Sequence, residues 1–367
     1  MVSMLLLYRK LRNLTLKKLV IVLILTVASF NEFIVYTFQS YRWPSVSKYR
    51  DSQEEMLILL ISDPQLIGIQ DEFGFPIGLL ARWDSDNYLR KTFSRIYHHT
   101  LPDVIVFLGD IMDEGSKATD YEYESYVQRF DSIFYEKKYA KTIVIPGDND
   151  IGGEGGDFRT AFKIGRFERY FENLTGVVSQ GFIDFLKLDN QRAKDLVLET
   201  KKLLSDVASQ LKSPYRIIIN HESMITKPKG SVYPFLRIAR PNIIFTGHWH
   251  WSQMFTCDTC LADDDDYNNW PYHARDISKM VDFIDVEFNS EIALSEIMVP
   301  TCSYRMGVPN MGYGVAVINK SGQMKYTVMW LPARYTLLYI YIVMLVIVTF
   351  LLLLDFICSP SRKDLYR

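Results

Sequence analysis

Residues Phe245 to Trp251 read F-T-G-H-W-H-W and hold two of the six histidines in this 367-residue chain. They follow the apolar stretch P-N-I-I, which reads as the body of a strand. A glycine at the strand end permits a sharp turn, and extended backbone repeats every two residues, so His248 and His250 can be aimed into one cleft. Two imidazoles so placed suit a metal ion. A solvent-facing H-x-H is as common without one, so the pair needs partners. The chain offers four sets: Asp63-Pro-Gln65, Gly109-Asp110-Ile-Met-Asp113-Glu114-Gly115, Pro146-Gly147-Asp148-Asn149-Asp150, and His221-Glu222. Carboxylate, amide and imidazole donors without a thiolate favour Mn, Fe or Zn over a copper or iron–sulfur centre.

Each set follows a short apolar run rich in β-branched residues: Met56 to Ser62 (MLILLIS), Val104 to Leu108 (VIVFL), Thr142 to Ile145 (TIVI), Arg216 to Asn220 (RIIIN) and Asn242 to Thr246 (NIIFT). Continuous apolar runs of this length predict strands buried on both faces. Helices are predicted between them, over Asp84 to His99, Asp120 to Glu136, Asp157 to Phe171 and Gln191 to Leu211. Beyond Trp270 the pattern turns to strands without helices, including EIMVPTCSY, GYGVAVIN and KYTVMWL. The reading is a layered α/β domain, with the five ligand-bearing strands in one mixed sheet and the later strands in a second, more antiparallel one. Open sheets bind ligands at the carboxyl ends of their strands. Five polar clusters in order at one such edge are not what independent turns would produce.

Two apolar runs lie outside this domain. Leu19 to Phe30 (LVIVLILTVASF) is interrupted by Asn31 and Glu32 and resumes to Phe38, while Leu337 to Leu354 is uninterrupted. Each approaches the roughly 20 residues a bilayer crossing needs. Arg9, Lys10, Arg12, Lys17 and Lys18 precede the first, and Arg362, Lys363 and Arg367 follow the second. Basic flanks face the cytosol. The expected organisation is a cytosolic tail 1–18, a transmembrane helix 19–38, a lumenal domain 39–334, a second transmembrane helix 335–357 and a cytosolic tail 358–367. Asn173-Leu-Thr175 and Asn319-Lys-Ser321 would then be glycan acceptors. A net charge of -2 leaves no basic patch for nucleic acid. Cys257 and Cys260 read as a local disulfide, because zinc would want two further Cys or His nearby, and a redox-active C-x-x-C is the less favoured alternative. Cys302 reads as core. His98 and His99 read as helix-end surface residues, Trp249 and Trp251 as loop anchors, and Asp263 to Asp266 as a solvated loop.

The ordered clusters resemble the calcineurin-like metallophosphoesterases, whose pattern is D-x-H, G-D-x-x-D-x-G, G-N-H-D or G-N-H-E, a lone His, then G-H-x-H. The resemblance covers nearly all of Met56 to His250. With the two apolar runs, the chain is similar to the membrane-anchored branch that includes the GPI-anchor ethanolamine-phosphate phosphodiesterase. The resemblance implies a sandwich of two sheets flanked by helices. It also implies two divalent metals, Mn first with Fe or Zn as alternatives, and removal of an ethanolamine-phosphate group from GPI anchors in the ER or Golgi. Its partners would be GPI-anchored proteins or another lipid-linked phosphodiester, and the lipid bilayer. Carried over by position, Asp63, Gln65 and His250 would hold the first metal, Asp110 would bridge, and Asp148, His221 and His248 would complete the second. Such a pair clamps a phosphoryl group and makes hydroxide available near neutral pH. Asp113 and Glu114 would orient the loop rather than bind metal.

Three positions depart from the pattern. Gln65 stands where the family has His, Asp148 where it has Asn, and Asn149 where it has the His that helps stabilise the transition state and protonate the leaving oxygen. An amide donates a hydrogen bond but is no general acid near neutral pH. The neighbouring Asp150 is the candidate replacement, and Asn149 rather than Asp148 is an open alternative as ligand. These departures sustain a second reading: a metal-binding but weakly catalytic factor that recognises GPI-anchored cargo.

Overall fold

The computed structural model describes residues 2–46, 54–188, 206–207, 209–227, 232–262, 271–288 and 292–357, in two units. One unit joins Met1–Arg42 to Pro332–Arg367, and the other is Trp43–Leu331.

The first unit is helical. α1 (Val2–Ser29) runs through a π-helical turn, Phe30–Ile34, into α2 (Val35–Tyr41). The helix continues through Asn31 and Glu32, which interrupt only the apolar run, because both find partners on the C-terminal helix Arg334–Ile357. Asn31 Nδ2 donates to the Leu337 carbonyl at 2.8 Å, and Glu32 Oε1 accepts from Arg334 Nη2 and Tyr341 OH, each at 3.0 Å. Polar groups on apolar helices persist when they satisfy one another in this way. The most apolar 18-residue stretches within Thr15–Tyr41 and Arg334–Ile357 have mean hydropathies of 2.2 and 3.0, and both helices are apolar enough and long enough to cross a membrane.

The second unit is a two-sheet sandwich. One sheet has the order β10 (Ile284–Glu287), β13 (Gln323–Trp330), β12 (Gly312–Asn319), β1 (Glu55–Ile61), β2 (Val104–Leu108), β3 (Lys141–Ile145). The other runs β4 (Gly176–Gln180), β5 (Ile183–Lys187), β6 (Tyr215–Ile219), β7 (Ile243–Thr246), β11 (Leu294–Met298), β8 (Gln253–Cys257), β9 (Tyr272–Asp276). Side-chain alternation builds the layers. Ile58, Leu60, Val106 and Ile145 of the first sheet share one core with Phe185, Ile217, Ile219, Phe245 and Ile297 of the second. On the outer face of the first sheet, Phe107 stacks edge-on against Phe130 of α4 (Asp120–Ile133), near Phe93 of α3 (Ile77–Thr100). Leu186, Ile218 and Ile244 on the outer face of the second pack with Phe235 and Leu236 of the helix Val232–Ala239. α5 is Asp148–Ile151 and α6 is Ala161–Phe171.

This arrangement corrects the expectation of one ligand-bearing sheet. β1, β2 and β3 are parallel neighbours in one sheet, whereas β6 and β7 are parallel neighbours in the other. The late strands do not form a sheet of their own. β12 pairs antiparallel with β1 (Leu59↔Val315), and β11 pairs parallel with β7 (Ile297↔Phe245). An apolar run announces a strand but not its partner, because pairing is decided between residues far apart in sequence. The β4–β5 hairpin escaped notice because polar Asp184 interrupts it. That residue is buried and accepts from the Lys212 and Ser213 amides at 2.7 and 2.8 Å. Most of the predicted helix Gln191 to Leu211 and the Asp263 to Asp266 run lie outside the described residues. Helix α3 begins at Ile77 rather than Asp84, and α6 at Ala161 rather than Asp157. Cys257 and Cys260 form a disulfide, and Cys302 is buried.

Glu296, buried within β11, ties the two ligand-bearing strands of the second sheet together. Its Oε2 accepts from the Met224 and Ile225 amides at 2.9 and 2.8 Å, and its Oε1 from Thr246 Oγ1 at 3.0 Å. Glu296→Leu strands three buried donors and is expected to cost about 3 kcal/mol or more of folding stability, with Glu296→Gln losing less than half as much. Urea denaturation of the full chain in detergent measures both; equal losses would contradict this bonding role.

Candidate metal centre

Three of the five ligand-bearing strands, β1, β2 and β7, end in a backbone turn that few residues adopt. Asp63, Gln65, Asp110, His248 and His250 all have positive φ, between 41° and 71°. Left-handed conformations cost a non-glycine residue stability and cluster where function demands them. Here they bend each chain back toward the sandwich seam. The loops after β1 and β2 run side by side, the Gln65 and Leu66 amides donating to the Asp110 and Ile111 carbonyls at 3.0 and 2.9 Å. Two glycines allow the loops to close. A Cβ on Gly147 would lie 2.0 Å from Asp110 Oδ1, and one on Gly247 would lie 2.1 Å from Ser62 Oγ.

Asp110, Asp148, His221 and His248 bring one ligand atom each to within 4.8 Å of one another. His221 Nε2 lies 3.1 Å from Asp148 Oδ1 and 3.6 Å from Asp110 Oδ1, and His248 Nδ1 lies 3.1 Å from Asp148 Oδ1. On the other side of Asp110, Gln65 Nε2 donates to Oδ2 at 3.2 Å and lies 3.4 Å from His250 Nε2. His250 Nε2 is 3.6 Å from Asp63 Oδ1. Asp110 therefore stands between two groups of donors, one oxygen toward each. Gln65 turns its amide nitrogen toward the others in this arrangement, and half a turn about its last bond would present Oε1 as a ligand instead.

The donor set fits a pair of cations on two observations. First, Asp63 Oδ1 is fully buried yet has no hydrogen-bond partner, a costly condition for a carboxylate unless a cation meets it. Second, His221 Nδ1 lies 2.7 Å from the Leu108 carbonyl. A carbonyl only accepts, so Nδ1 carries the proton and the Nε2 lone pair faces Asp148 and Asp110. Lone pairs converging at that range require a proton or a metal between them. Without a metal a proton fills the role: burial opposes charge on His221, but the Asp110 and Asp148 carboxylates push its pKa well up. Burial also raises the Asp148 carboxyl, yet its hydrogen bonds with His221 and His248 outweigh that and hold it well below the usual range.

The remaining expected residues take distinct places. Asn149 lies against Asp110, its backbone amide donating to Oδ1 at 2.9 Å and its Nδ2 to Oδ2 at 3.1 Å, while Asp148 meets His221 and His248. Asp150 turns away from the donor cluster. Its carboxylate accepts from the Ile111, Met112 and Gly147 amides at 3.2, 3.0 and 2.9 Å, and burial, reinforced by the Asp110 charge, pushes its pKa up to about 7. It holds the two loops in place and has no free oxygen for a leaving group. Glu114 does likewise for the next loop, accepting from the Ile69, Gln70 and Asp71 amides at 2.9, 2.8 and 2.7 Å. Burial, with Glu114 nearby, raises Asp113 to about 6. Trp249 stacks on Trp251 with ring centroids 5.8 Å apart, and Lys227 Nζ lies 4.3 Å from the Trp249 ring.

Sequence reasoning missed three supporting residues: Ser62, which donates to Asp63; Thr301, whose hydroxyl donates to the Asp63 carbonyl at 2.7 Å; and Glu296. Only Glu296 carried a signal, as a lone acid inside an apolar strand. Beside the cluster opens a cleft of about 340 Å³, its solvent-filled mouth included, lined by Asp148, Arg159, Asn220, His221 and Glu222.

Asp110 faces both donor groups, so Asp110→Ala is expected to abolish metal at both sites, whereas His250→Ala should remove about one ion of two. Elemental analysis of the purified chain decides; unchanged metal in Asp110→Ala would refute the shared position. Gly247→Ala alters no donor, yet the 2.1 Å approach to Ser62 should lower metal content as well.

A model of the calcineurin-like phosphoesterases matches residues 56–252, from β1 to just past His250. The chain is 26% identical over 244 residues to cell division control protein 1 of Saccharomyces cerevisiae, covering 62% of this chain and 48% of that protein. It is 30% identical over 154 residues to metallophosphoesterase 1 of Ailuropoda melanoleuca, covering 41% of this chain and 37% of that one. The chain thus spans about half or less of the length of these curated relatives. Among solved structures, a purple acid phosphatase from yellow lupin seeds superposes with a TM-score of 0.46 at 13% identity, over 76% of this chain and 52% of that one. With the match covering every donor described above, the chain belongs to the calcineurin-like phosphoesterase family.

Proposed function

We propose that the chain is a membrane-anchored phosphodiesterase acting on a lipid-linked phosphodiester, specifically the ethanolamine-phosphate group of a GPI anchor. The observation that carries this reading is covalent. A phosphoesterase domain begins at Trp43 and ends at Leu331, joined without a spacer to two apolar helices. A domain so tethered meets substrates at the height of the lipid headgroups far more often than soluble ones. The similarity to metallophosphoesterase 1 supports the same choice. The basic tails favour a lumenal domain, and in a lumen such as that of the ER or Golgi Asn173, an exposed residue, would accept a glycan.

Asp63, Gln65, Asp110 and His250 would hold one divalent ion, and Asp110, Asp148, His221 and His248 the other, with manganese the first expectation. Two such ions, when bound, offset phosphoryl charge and supply hydroxide near neutral pH. The chain's residues do the rest. Arg159 on the cleft wall offers a guanidinium to non-bridging phosphate oxygens, and Glu222 a carboxylate to a protonated amine such as that of ethanolamine. Asn149, beside Asp110, donates a hydrogen bond but no proton, and Asp150 is committed to backbone amides. Substrates with a leaving group that needs little protonation are therefore favoured. The substitutions at Asn149 and Gln65 also favour a second reading, a weakly catalytic factor that recognises GPI-anchored cargo.

General acid catalysis contributes about 10² to 10⁴-fold. Asn149→His should therefore accelerate hydrolysis of an alkyl phosphodiester by up to that factor while leaving an activated aryl phosphodiester nearly unchanged. Equal acceleration of both would assign Asn149 to metal binding or packing. Absence of metal-dependent turnover in either protein at full metal occupancy would leave the cargo-recognition reading in its place.

A further inference from the structure

From the end of the loop after β1 into the first turns of α3, the chain reads F-G-F-P-I-G-L-L-A-R-W from Phe73 to Trp83. Six large apolar side chains in these eleven residues face solvent. Phe75 is 88% exposed, Phe73 75% and Trp83 64%, while Ile77, Leu79 and Leu80 are each more than half exposed. Single exposed apolar residues need no explanation, but a contiguous cluster of this size marks an interaction surface. The segment is an ordered platform. The Gly78 amide donates to the Gly74 carbonyl at 3.3 Å and that of Leu80 to Pro76 at 3.1 Å, and Arg82 Nη1 reaches back to the Gly68 carbonyl at 3.2 Å.

We propose that Phe73 to Trp83 dock into the interfacial zone of a lipid bilayer. Two features select lipid over a soluble partner. Both ends of the domain run directly into helices apolar enough to cross a membrane, so a bilayer is held at high effective concentration beside it. The side chains are also the aromatic and aliphatic types that settle at the headgroup boundary. The acidic neighbours are engaged elsewhere: Asp71 with Lys117, Glu72 with Arg305, and Asp84 with the Tyr304 hydroxyl. Arg82, bonded to the Gly68 carbonyl, keeps its charge, so the platform carries one cation among six exposed apolar side chains, and its docking is chiefly apolar and depends little on anionic lipid.

The consequence for the site follows from Glu114. The carboxylate that receives the Ile69, Gln70 and Asp71 amides belongs to the same loop as Asp110. A docked platform would therefore hold the metal-bearing loop at a fixed height above the headgroups and present it to phosphodiesters in the bilayer. This last step rests on the reading of the substrate as lipid-linked; the docking itself does not.

The test uses the full chain in phosphatidylcholine nanodiscs, with Cys358→Ser leaving only buried Cys302 and the Cys257–Cys260 disulfide in the background. A fluorophore on Phe75→Cys should lose most of its emission to lipids spin-labelled near the headgroup, and added phosphatidylserine or salt should change the loss only slightly. The same probe on Glu287→Cys, exposed on β10, should keep its emission. An unquenched Phe75 probe would overturn the docking, as would cross-linking that places it against a second copy of the chain. Phe73→Ser with Phe75→Ser should lower kcat/KM for a lipid-linked phosphodiester in the same nanodisc about tenfold or more, since burial of two aromatic side chains is withdrawn, while hydrolysis of soluble bis(4-nitrophenyl) phosphate stays unchanged. Equal loss on both substrates would overturn the presentation role. Quenching without any turnover of the lipid-linked substrate would uphold docking and refute the substrate reading.

Discussion

Three carboxylates, those of Asp63, Asp110 and Asp148, are buried together at the seam of two sheets, and the rest of the site follows from that constraint. Like charges gathered in a low-dielectric interior repel strongly, and removing each from water is costly by itself. Nearby imidazoles offset part of the charge, but the partnerless Asp63 oxygen shows that protein donors do not complete the balance. A pair of divalent cations does. The fold is arranged to keep those acids converged in spite of their repulsion. Five ligand-bearing residues are held in left-handed conformations, and two glycines admit contacts that any side chain would block.

Holding the acids falls to further acids whose oxygens are turned to backbone amides and a hydroxyl. Asp150 gathers the amides of Gly147, Ile111 and Met112, which joins the loops after β2 and β3. Glu114 gathers the loop after β1, and Glu296 joins the ends of β6 and β7. Carboxylates serve here because one group accepts from several backbone amides at once and so fixes loops that lack ladder bonds of their own. Asp150 illustrates why nearness in sequence does not assign a catalytic role: one residue beyond Asn149, it faces the opposite way.

Much of this was legible before the structure. The clusters announced themselves because donor type and order are properties of the sequence, and the short apolar runs marked the strands carrying them. What was not legible is long-range. The division of those strands between two sheets depends on pairings such as Leu59 with Val315 and Ile297 with Phe245, separated by hundreds and by tens of residues. The π-helical continuity past Asn31 and Glu32 depends on Leu337, Arg334 and Tyr341 at the other end of the chain. The start of α3 was read late because F-G-F-P-I-G-L-L carries its apolar side chains outward, whereas amphipathic periodicity assumes that they face the core.

The three departures from the family pattern act together. Relative to that pattern, Gln65 replaces a neutral ligand imidazole with a neutral amide, a weaker donor that loosens the first site, while Asp148 replaces a neutral amide with an anion that tightens the second and partly offsets the loss. Asn149 replaces an imidazole that can carry a proton, which weakens the site's ability to protonate a departing oxygen. Cation binding is thus redistributed between the two sites while leaving-group assistance is lost. A centre of this kind suits a substrate whose leaving group needs little protonation. On the proposed reading, tethering through the two apolar helices would raise encounter with such a substrate without altering the bond-breaking step, so the departure at Asn149 narrows the range of leaving groups whatever the encounter frequency.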